Sequence, residues 1–172
     1  GMEAVEALGV AIGPGSFTSL RVGLAFAKGL ALGRALPLIG IPTLDVVAAA
    51  VPVDSSRRLA AVLQAGRGRL ALVWYCPSAD GWQAEGPAQV TTAEELAAKI
   101  RRPMLVCGEL TADDIQHLRR KYKKVRLASP AQCVRRPGLL AELAWRRWQS
   151  GERDAPASLA PIYLHVAGGP PA

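Results

Sequence analysis

Apolar residues near the start of the chain fall into short runs without polar alternation. Ala7-Leu8-Gly9-Val10-Ala11-Ile12 is the first, a pattern that predicts a strand buried on both faces. Gly13-Pro14-Gly15-Ser16 cannot continue it and predicts a structural turn. Ser16 suits a helix N-cap, its hydroxyl accepting an orphan backbone N–H. A helix is expected from Phe17 to Leu32, with Gly33 placed to end it in the left-handed conformation. A second strand follows from Leu36 to Ile41, then Pro42 as a breaker, then Thr43 capping a helix over Leu44 to Ala50.

The texture changes near Val53. Leu59 to Ala65 and Leu70 to Cys76 read as strands joined by Gly66-Arg67-Gly68, a hairpin signal. A weaker strand is expected over Trp82 to Val90. Thr92-Ala93-Glu94-Glu95 is a capping box opening a helix to Ile100. Met104 to Gly108 reads as a buried strand, Thr111 caps a helix to Lys121, and Val125 to Ala128 is a short strand. Pro137 sits as the first residue of a last helix through Gln149, with Leu139, Leu140, Leu143 and Ala144 as its apolar stripe. The order is mixed α/β. It predicts a first lobe over residues 1–52, a second over 53–164, and a disordered tail over 165–172.

The Phe17 to Leu32 helix is unusual in being apolar around most of its circumference. Only Arg21 and Lys28 are charged, seven residues apart on one line. Leu20, Leu24, Ala27 and Ala31 occupy one side; Val22, Phe26, Gly29 and Leu30 occupy another. Such a helix must be buried on more than one face, and its Gly and Ala residues would let a second helix approach closely. With few long helices in the chain, the second covering is expected to come from a protein partner. Phe17, Leu20, Arg21, Leu24, Ala27, Lys28 and Ala31 are the expected partner-interface residues.

Charge adds a second feature. Of a net +7, residues 99–136 hold eleven Lys or Arg against Glu109, Asp113 and Asp114, a local excess of eight. Such a stretch either attracts a polyanion such as RNA or forms the solvated helix and turn surfaces of a basic protein. No aromatic-rich strand pattern accompanies it, so base stacking is not indicated. No apolar run is long enough to span a membrane, and the N-terminus lacks the layout of a secretory signal. Gly1 ahead of Met2 reads as an addition before the intended start, and a cytoplasmic protein is expected. Cys76, Cys107 and Cys133 are far apart and odd in number, which predicts buried reduced thiols and no disulfide framework.

The run Ala11-Ile12-Gly13-Pro14-Gly15-Ser16-Phe17-Thr18-Ser19-Leu20-Arg21-Val22-Gly23-Leu24-Ala25, continuing through Ala27-Lys28-Gly29-Leu30-Ala31, resembles the signature of the TsaB (YeaZ) family. Leu38-Ile39-Gly40-Ile41-Pro42-Thr43-Leu44 continues it in register. Pro161-Ile162-Tyr163-Leu164 resembles the family's closing Pro-x-Tyr-Leu-Arg, with His165 in place of Arg. The resemblance implies an α/β fold of the actin-like ATPase (ASKHA, ribonuclease H-like) type, two-lobed, without independent catalysis. It also implies a scaffold role in forming threonylcarbamoyladenosine on tRNA, with a TsaD-type catalytic subunit and a TsaE-type ATPase as partners. The Phe17 to Leu32 helix matches the element that members use to dimerise or to pair with TsaD. tRNA contact is implied only through that complex. No cofactor, metal or catalytic residue is implied for the chain itself.

Two departures qualify these expectations. Members begin with a further strand, an Asp-Thr-Ser phosphate loop, a hairpin and a first interface helix. Their absence predicts an N-terminally truncated chain with an incomplete first lobe, an exposed sheet edge and self-association. A homodimer through the Phe17 to Leu32 helix is expected when the chain is alone, weakened by Ala27→Glu. Members also carry Asp-Ala-Arg-Arg-x-Glu in the second-lobe hairpin, where this chain has Gln64-Ala65-Gly66-Arg67-Gly68-Arg69.

Rival chemistries find little support in the residues. A glycoprotease-like metallopeptidase needs two or three ligands around an open position, and His117 and His165 stand apart, each read as a surface residue. Ser16 has no evident base for nucleophilic catalysis. A sugar kinase needs carboxylates beside nucleotide phosphates, and Glu3, Glu6 and Asp45 have no Gly-rich phosphate setting. A stand-alone RNA-binding module resting on residues 99–136 is the remaining alternative.

Overall fold

In the computed structural model, residues 2–121 and 123–164 are described. The expected tail over 165–172, with His165, lies outside them. A 3-10 turn at Met2–Ala4 leads into β1 (Leu8–Gly13), α1 (Phe17–Arg34), β2 (Leu38–Pro42) and α2 (Thr43–Ala49). Then come β3 (Arg58–Gln64), β4 (Leu70–Ser78), β5 (Gly81–Ala84), β6 (Gln89–Thr91) and α3 (Ala93–Lys99). β7 (Met104–Gly108), α4 (Ala112–Arg119), β8 (Val125–Leu127) and α5 (Pro137–Gln149) complete the order.

Several boundaries differ from the sequence pattern for local reasons. α1 runs past Gly33, and the left-handed cap is Ala35, at φ 51°. Ser16 stands at the N-cap of α1 without a side-chain cap bond. Its carbonyl accepts from the Leu20 N–H at 2.9 Å, while its hydroxyl oxygen accepts from the Ser19 hydroxyl at 3.2 Å. Thr43 is the first residue of α2 rather than its cap, and its buried hydroxyl has no hydrogen-bond partner among the described residues. The expected Trp82 to Val90 strand is broken into β5 and β6, both paired antiparallel with β4. The other predicted caps hold: Thr92 with Glu95 and Thr111 with Asp114 form complete capping boxes.

The chain divides into two compact units. One comprises Gly1–Val46 with Arg136–Tyr163, and the other includes Val47–Arg135. The sequence pattern grouped residues 136–163 with the second lobe. The stripe of α5 explains the difference: Leu139, Leu140, Leu143 and Ala144 pack with Ile39, Ile41 and Val46.

In the first unit β1 and β2 pair in parallel, Leu8 opposite Leu38 through Ala11 opposite Ile41. One face of this pair is covered by α1, through Leu24 and Ala31 against Val10 and Leu38. The other face is covered by α5. That packing is close, since a Cβ on Gly9 would stand 2.7 Å from the Ala144 Cβ. The outer edge of β2 is tied off by the chain itself. The Gly40 N–H donates to an Asp154 carboxylate oxygen at 2.8 Å and the Asp154 N–H to the Leu38 carbonyl at 2.9 Å. Arg147 donates to the Gly40 carbonyl at 2.5 Å and pairs with Glu152 at 2.7 Å, which holds the exposed Glu152 carboxyl below its usual range. β1 has no second strand partner among the described residues.

In the second unit the strand order is β5-β4-β3-β7-β8, with β6 also on β4. β3 and β4 form the predicted antiparallel hairpin; β7 and β8 extend it in parallel. One sheet face, with Ala60, Val62, Leu70, Leu72 and Val106, is sealed by Leu96 of α3, Ile100 at its C-cap and Leu118 of α4. Gly108 ends β7 at φ 114°, where a Cβ would stand 1.9 Å from the Val62 carbonyl oxygen. Cys107 is buried, and burial pushes its thiol pKa well up. Cys76 and Cys133 are partly exposed, not buried as the sequence suggested, and all three cysteines are free.

Candidate functional site

The turn after β1 is built by close packing. Gly13 has φ 101°, and a Cβ there would stand 2.9 Å from Leu20 Cδ1 and 3.0 Å from the Ile162 carbonyl oxygen. Only glycine accepts both demands. The Gly13–Pro14 bond is cis. Pro14 is buried, Gly15 and Ser16 are exposed, and α1 starts at Phe17. The closing segment returns to this turn, the Ile162 N–H donating to the Ile12 carbonyl at 2.7 Å. The two ends of the sequence resemblance therefore meet in space.

Their meeting forms an aromatic and cationic cluster. The Arg21 guanidinium lies 3.7 Å from the centroid of the Phe17 ring, and its Nε donates to the Tyr163 hydroxyl at 2.8 Å. The Phe17 and Tyr163 rings are 5.4 Å apart. Arg21 thus satisfies one tyrosine while covering a phenylalanine face, a cation–π arrangement. Phe17 and Tyr163 remain exposed.

α1 presents two unlike sides. Leu24 and Ala31 are buried, and Leu20 and Ala27 are half-buried beside them, all on the side that meets the sheet. Four of the seven residues expected at a partner interface thus lie on the inner side. For Ala27→Glu, the first effect expected is disturbed sheet packing rather than weakened association. Of the other three, Phe17 and Arg21 belong to the exposed cluster, and Lys28 is half-buried.

The uncovered apolar side is carried by residues roughly opposite. Val22 is 65 % exposed, Phe26 69 % and Leu32 72 %. Ala25, Gly29 and Gly33 lie among them, also exposed. A Cβ built on Gly23, Gly29 or Gly33 would meet nothing within 4 Å. Glycine in a helix interior costs about 1 kcal/mol relative to alanine. Among the described residues no contact repays that cost, whereas a closely packed helix would. Val22 and Phe26 were legible as one side of the helix; which side the sheet would take was not.

In the second unit, the hairpin position that departs from the resembled family has a structural role. Gln64 Nε2 donates to an Asp114 carboxylate oxygen at 2.8 Å, and the same oxygen accepts from the Thr111 N–H at 2.8 Å. Glu109 pairs with Arg135 at 2.7 Å. His117 is half-buried on α4. Among the described residues no three His, Cys, Asp or Glu side chains gather to hold a metal ion. No helix there is long and apolar enough to cross a membrane.

The family model described as TsaD: tRNA N6-adenosine threonylcarbamoyltransferase matches residues 1–130. The "tRNA threonylcarbamoyladenosine biosynthesis protein TsaB" of Escherichia coli is 37% identical over 92 residues, covering 52% of this chain and 40% of that protein. A tRNA N6-adenosine threonylcarbamoyltransferase of Nitratidesulfovibrio vulgaris is 56% identical over 41 residues, covering 24% of this chain and 11% of that protein. The chain thus spans less than half the length of the curated relatives it matches. YeaZ from Pseudomonas aeruginosa superimposes with a TM-score of 0.74 at 21% identity, covering 94% of this chain and 76% of that one. Another Pseudomonas aeruginosa crystal structure, described as an uncharacterized protein with similarity to peptidase YEAZ, gives 0.73 at 20% identity over 96% and 76%. The fold is the α/β fold of these YeaZ structures, of the actin-like ATPase type.

Proposed function

The chain belongs to the family of the TsaD model, in its TsaB (YeaZ) branch, and from that membership we propose a role in forming threonylcarbamoyladenosine on tRNA. The role is that of a scaffold without its own active site, pairing with a TsaD-type catalytic subunit and working beside a TsaE-type ATPase. One observation carries the pairing: the outer side of α1, with Val22, Phe26 and Leu32 exposed around Gly29 and Gly33. Apolar side chains alternating with glycines form a surface on which a second helix packs closely, burying area at about 25 cal/mol per Å². Phe17, Arg21 and Tyr163 extend the surface at the start of the helix, and aromatic and arginine side chains are the usual anchors of such contacts. Without the catalytic subunit, the same side pairs two copies of the chain.

Reconstitution tests the role. tRNA, threonine, bicarbonate and ATP are supplied with the TsaD-type and TsaE-type proteins of the same source and the enzyme that makes the threonylcarbamoyl donor. Modified adenosine is expected to form only when this chain is added, at a rate saturating near equal amounts of chain and catalytic subunit. Equal formation without the chain would remove the scaffold role.

A further inference from the structure

A surface cleft of about 390 Å³ lies at one end of the second unit's sheet, lined by Arg58, Trp74, Glu85, Lys99, Arg101, Arg102 and Met104. That volume falls in the range of small-ligand clefts, roughly 300–1,000 Å³. Its walls follow from strand register. Ala60 pairs with both Trp74 and Val106, and Arg58 pairs with Met104, so Arg58, Trp74 and Met104 share one sheet face across three strands. Ala60, opposite Trp74, is too small to cover the indole, and Trp74 stays only partly buried against the core.

The cations enter from the other side. α3 ends at Lys99, buried Ile100 anchors the turn, and Arg101-Arg102 lead into β7. All three basic residues are exposed. The one acid of the cleft, Glu85, is engaged by Arg58. Among the described residues no carboxylate within 4.0 Å pairs with Lys99, Arg101 or Arg102. Lys124 is exposed nearby, its carbonyl accepting from the Met104 N–H at 2.8 Å. Arg126 alternates to the opposite sheet face from Val125 and Leu127 and so stays out of the cleft.

A helix C-terminus favours nearby cations, which accounts for Lys99 in the last turn of α3. It does not account for two further arginines beyond that turn beside a half-open indole. An aromatic face next to unpaired cations is the arrangement that binds single-stranded nucleic acid, with a base stacked on the ring and phosphates on the basic side chains. We propose that the cleft between Trp74 and Lys99-Arg101-Arg102 binds an unpaired RNA nucleotide, its base against the indole and its phosphodiesters on the two arginines. The fold thus places an aromatic beside the basic stretch, although Trp74 lies 25 positions upstream of Lys99 in the sequence. The inference deepens the tRNA role by naming a contact of the chain with RNA, and its test needs no catalytic subunit, so pairing can stand or fall separately.

The experiment is titration of the full chain with a fluorescently labelled single-stranded RNA and, in parallel, with a duplex RNA and with heparin, over a range of salt. Arg101→Gln with Arg102→Gln is expected to weaken single-stranded RNA binding about tenfold or more. It should also flatten the log affinity against log salt slope by about 1.4, since each single-strand phosphate contact contributes about 0.7. Trp74→Leu is expected to weaken RNA binding severalfold without changing heparin binding, and Trp74→Phe to restore most of it. Circular dichroism of each variant checks the fold, and the exposed arginine pair serves if Trp74→Leu does not fold. No measurable RNA binding, equal binding of duplex, or equal losses for RNA and heparin on Trp74→Leu would overturn the proposal, as would an arginine-pair variant that binds single-stranded RNA with unchanged affinity and salt slope.

Discussion

Val22→Glu combined with Phe26→Glu is expected to weaken pairing with a TsaD-type catalytic subunit about a hundredfold or more, with the chain's own fold intact. Both side chains are mostly exposed in the chain alone, so the new carboxylates remain hydrated and the helix keeps its inner contacts. At an interface the same carboxylates would be buried without partners, which costs several kcal/mol. Loss of a central aromatic anchor adds about 2 kcal/mol or more. Each 1.4 kcal/mol is a factor of ten. Calorimetric titration of wild type and variant measures the change, and thermal unfolding verifies that the fold survives. Unchanged affinity in a folded variant would move the interface off the outer side of α1. Gly29→Leu is a milder version, filling the space a partner helix would occupy, where no described residue stands within 4 Å.

Gly108→Ala is expected to destabilise the second unit by about 3 kcal/mol or more, combining positive-φ strain with forced overpacking. The Cβ would stand 1.9 Å from the Val62 carbonyl oxygen, and that oxygen already accepts from the Glu109 N–H at 3.0 Å. Neither group can move without breaking the end of the β3–β7 pairing. The Gly108 N–H, directed at Cys133 Sγ at 3.4 Å, would shift with it. For a protein of this size the melting temperature should fall by roughly 6–12 °C, given about 2–4 °C per kcal/mol. Gly68→Ala is the control: its φ of 68° is also positive, but a Cβ there meets nothing within 4 Å, so only the smaller strain of about 1 kcal/mol applies. Equal losses in the two variants would show that conformation, not the Val62 contact, governs Gly108.

Much of the local structure was legible because its causes are local. Thr92 with Glu95 and Thr111 with Asp114 announce their helices by reciprocal capping, and Pro137 fixes the start of α5 without needing a donor. Gly66 and Gly68, at φ 74° and 68°, set the β3–β4 hairpin in backbone conformations open mainly to glycine, with Arg67 between them also left-handed at φ 52°. What failed to read out depends on tertiary contact. Gly33 looked like a stop signal, yet α1 continues one residue beyond it and Ala35 takes the left-handed cap. The Leu20, Leu24, Ala27 and Ala31 side of α1 is the one the sequence assigned to a partner, yet it meets the sheet and leaves the Val22 and Phe26 side uncovered. Both are apolar, and only the sheet's position decides between them. Helix α5 follows the second unit in sequence but packs on β1 and β2, whose exposed face no local pattern in α5 identifies. Trp74 likewise joins the basic turn after α3 only through the strand pairing of β3 with β4 and β7.

Pairing through α1 shows directly in the molar mass of a mixture. The chain is combined with a TsaD-type catalytic subunit of the same source and passed over a sizing column with light scattering. A single peak holding both proteins is expected, with the mass of a mixed complex, lost on introducing Val22→Glu with Phe26→Glu. Two separate peaks with unchanged masses at micromolar concentrations would contradict it.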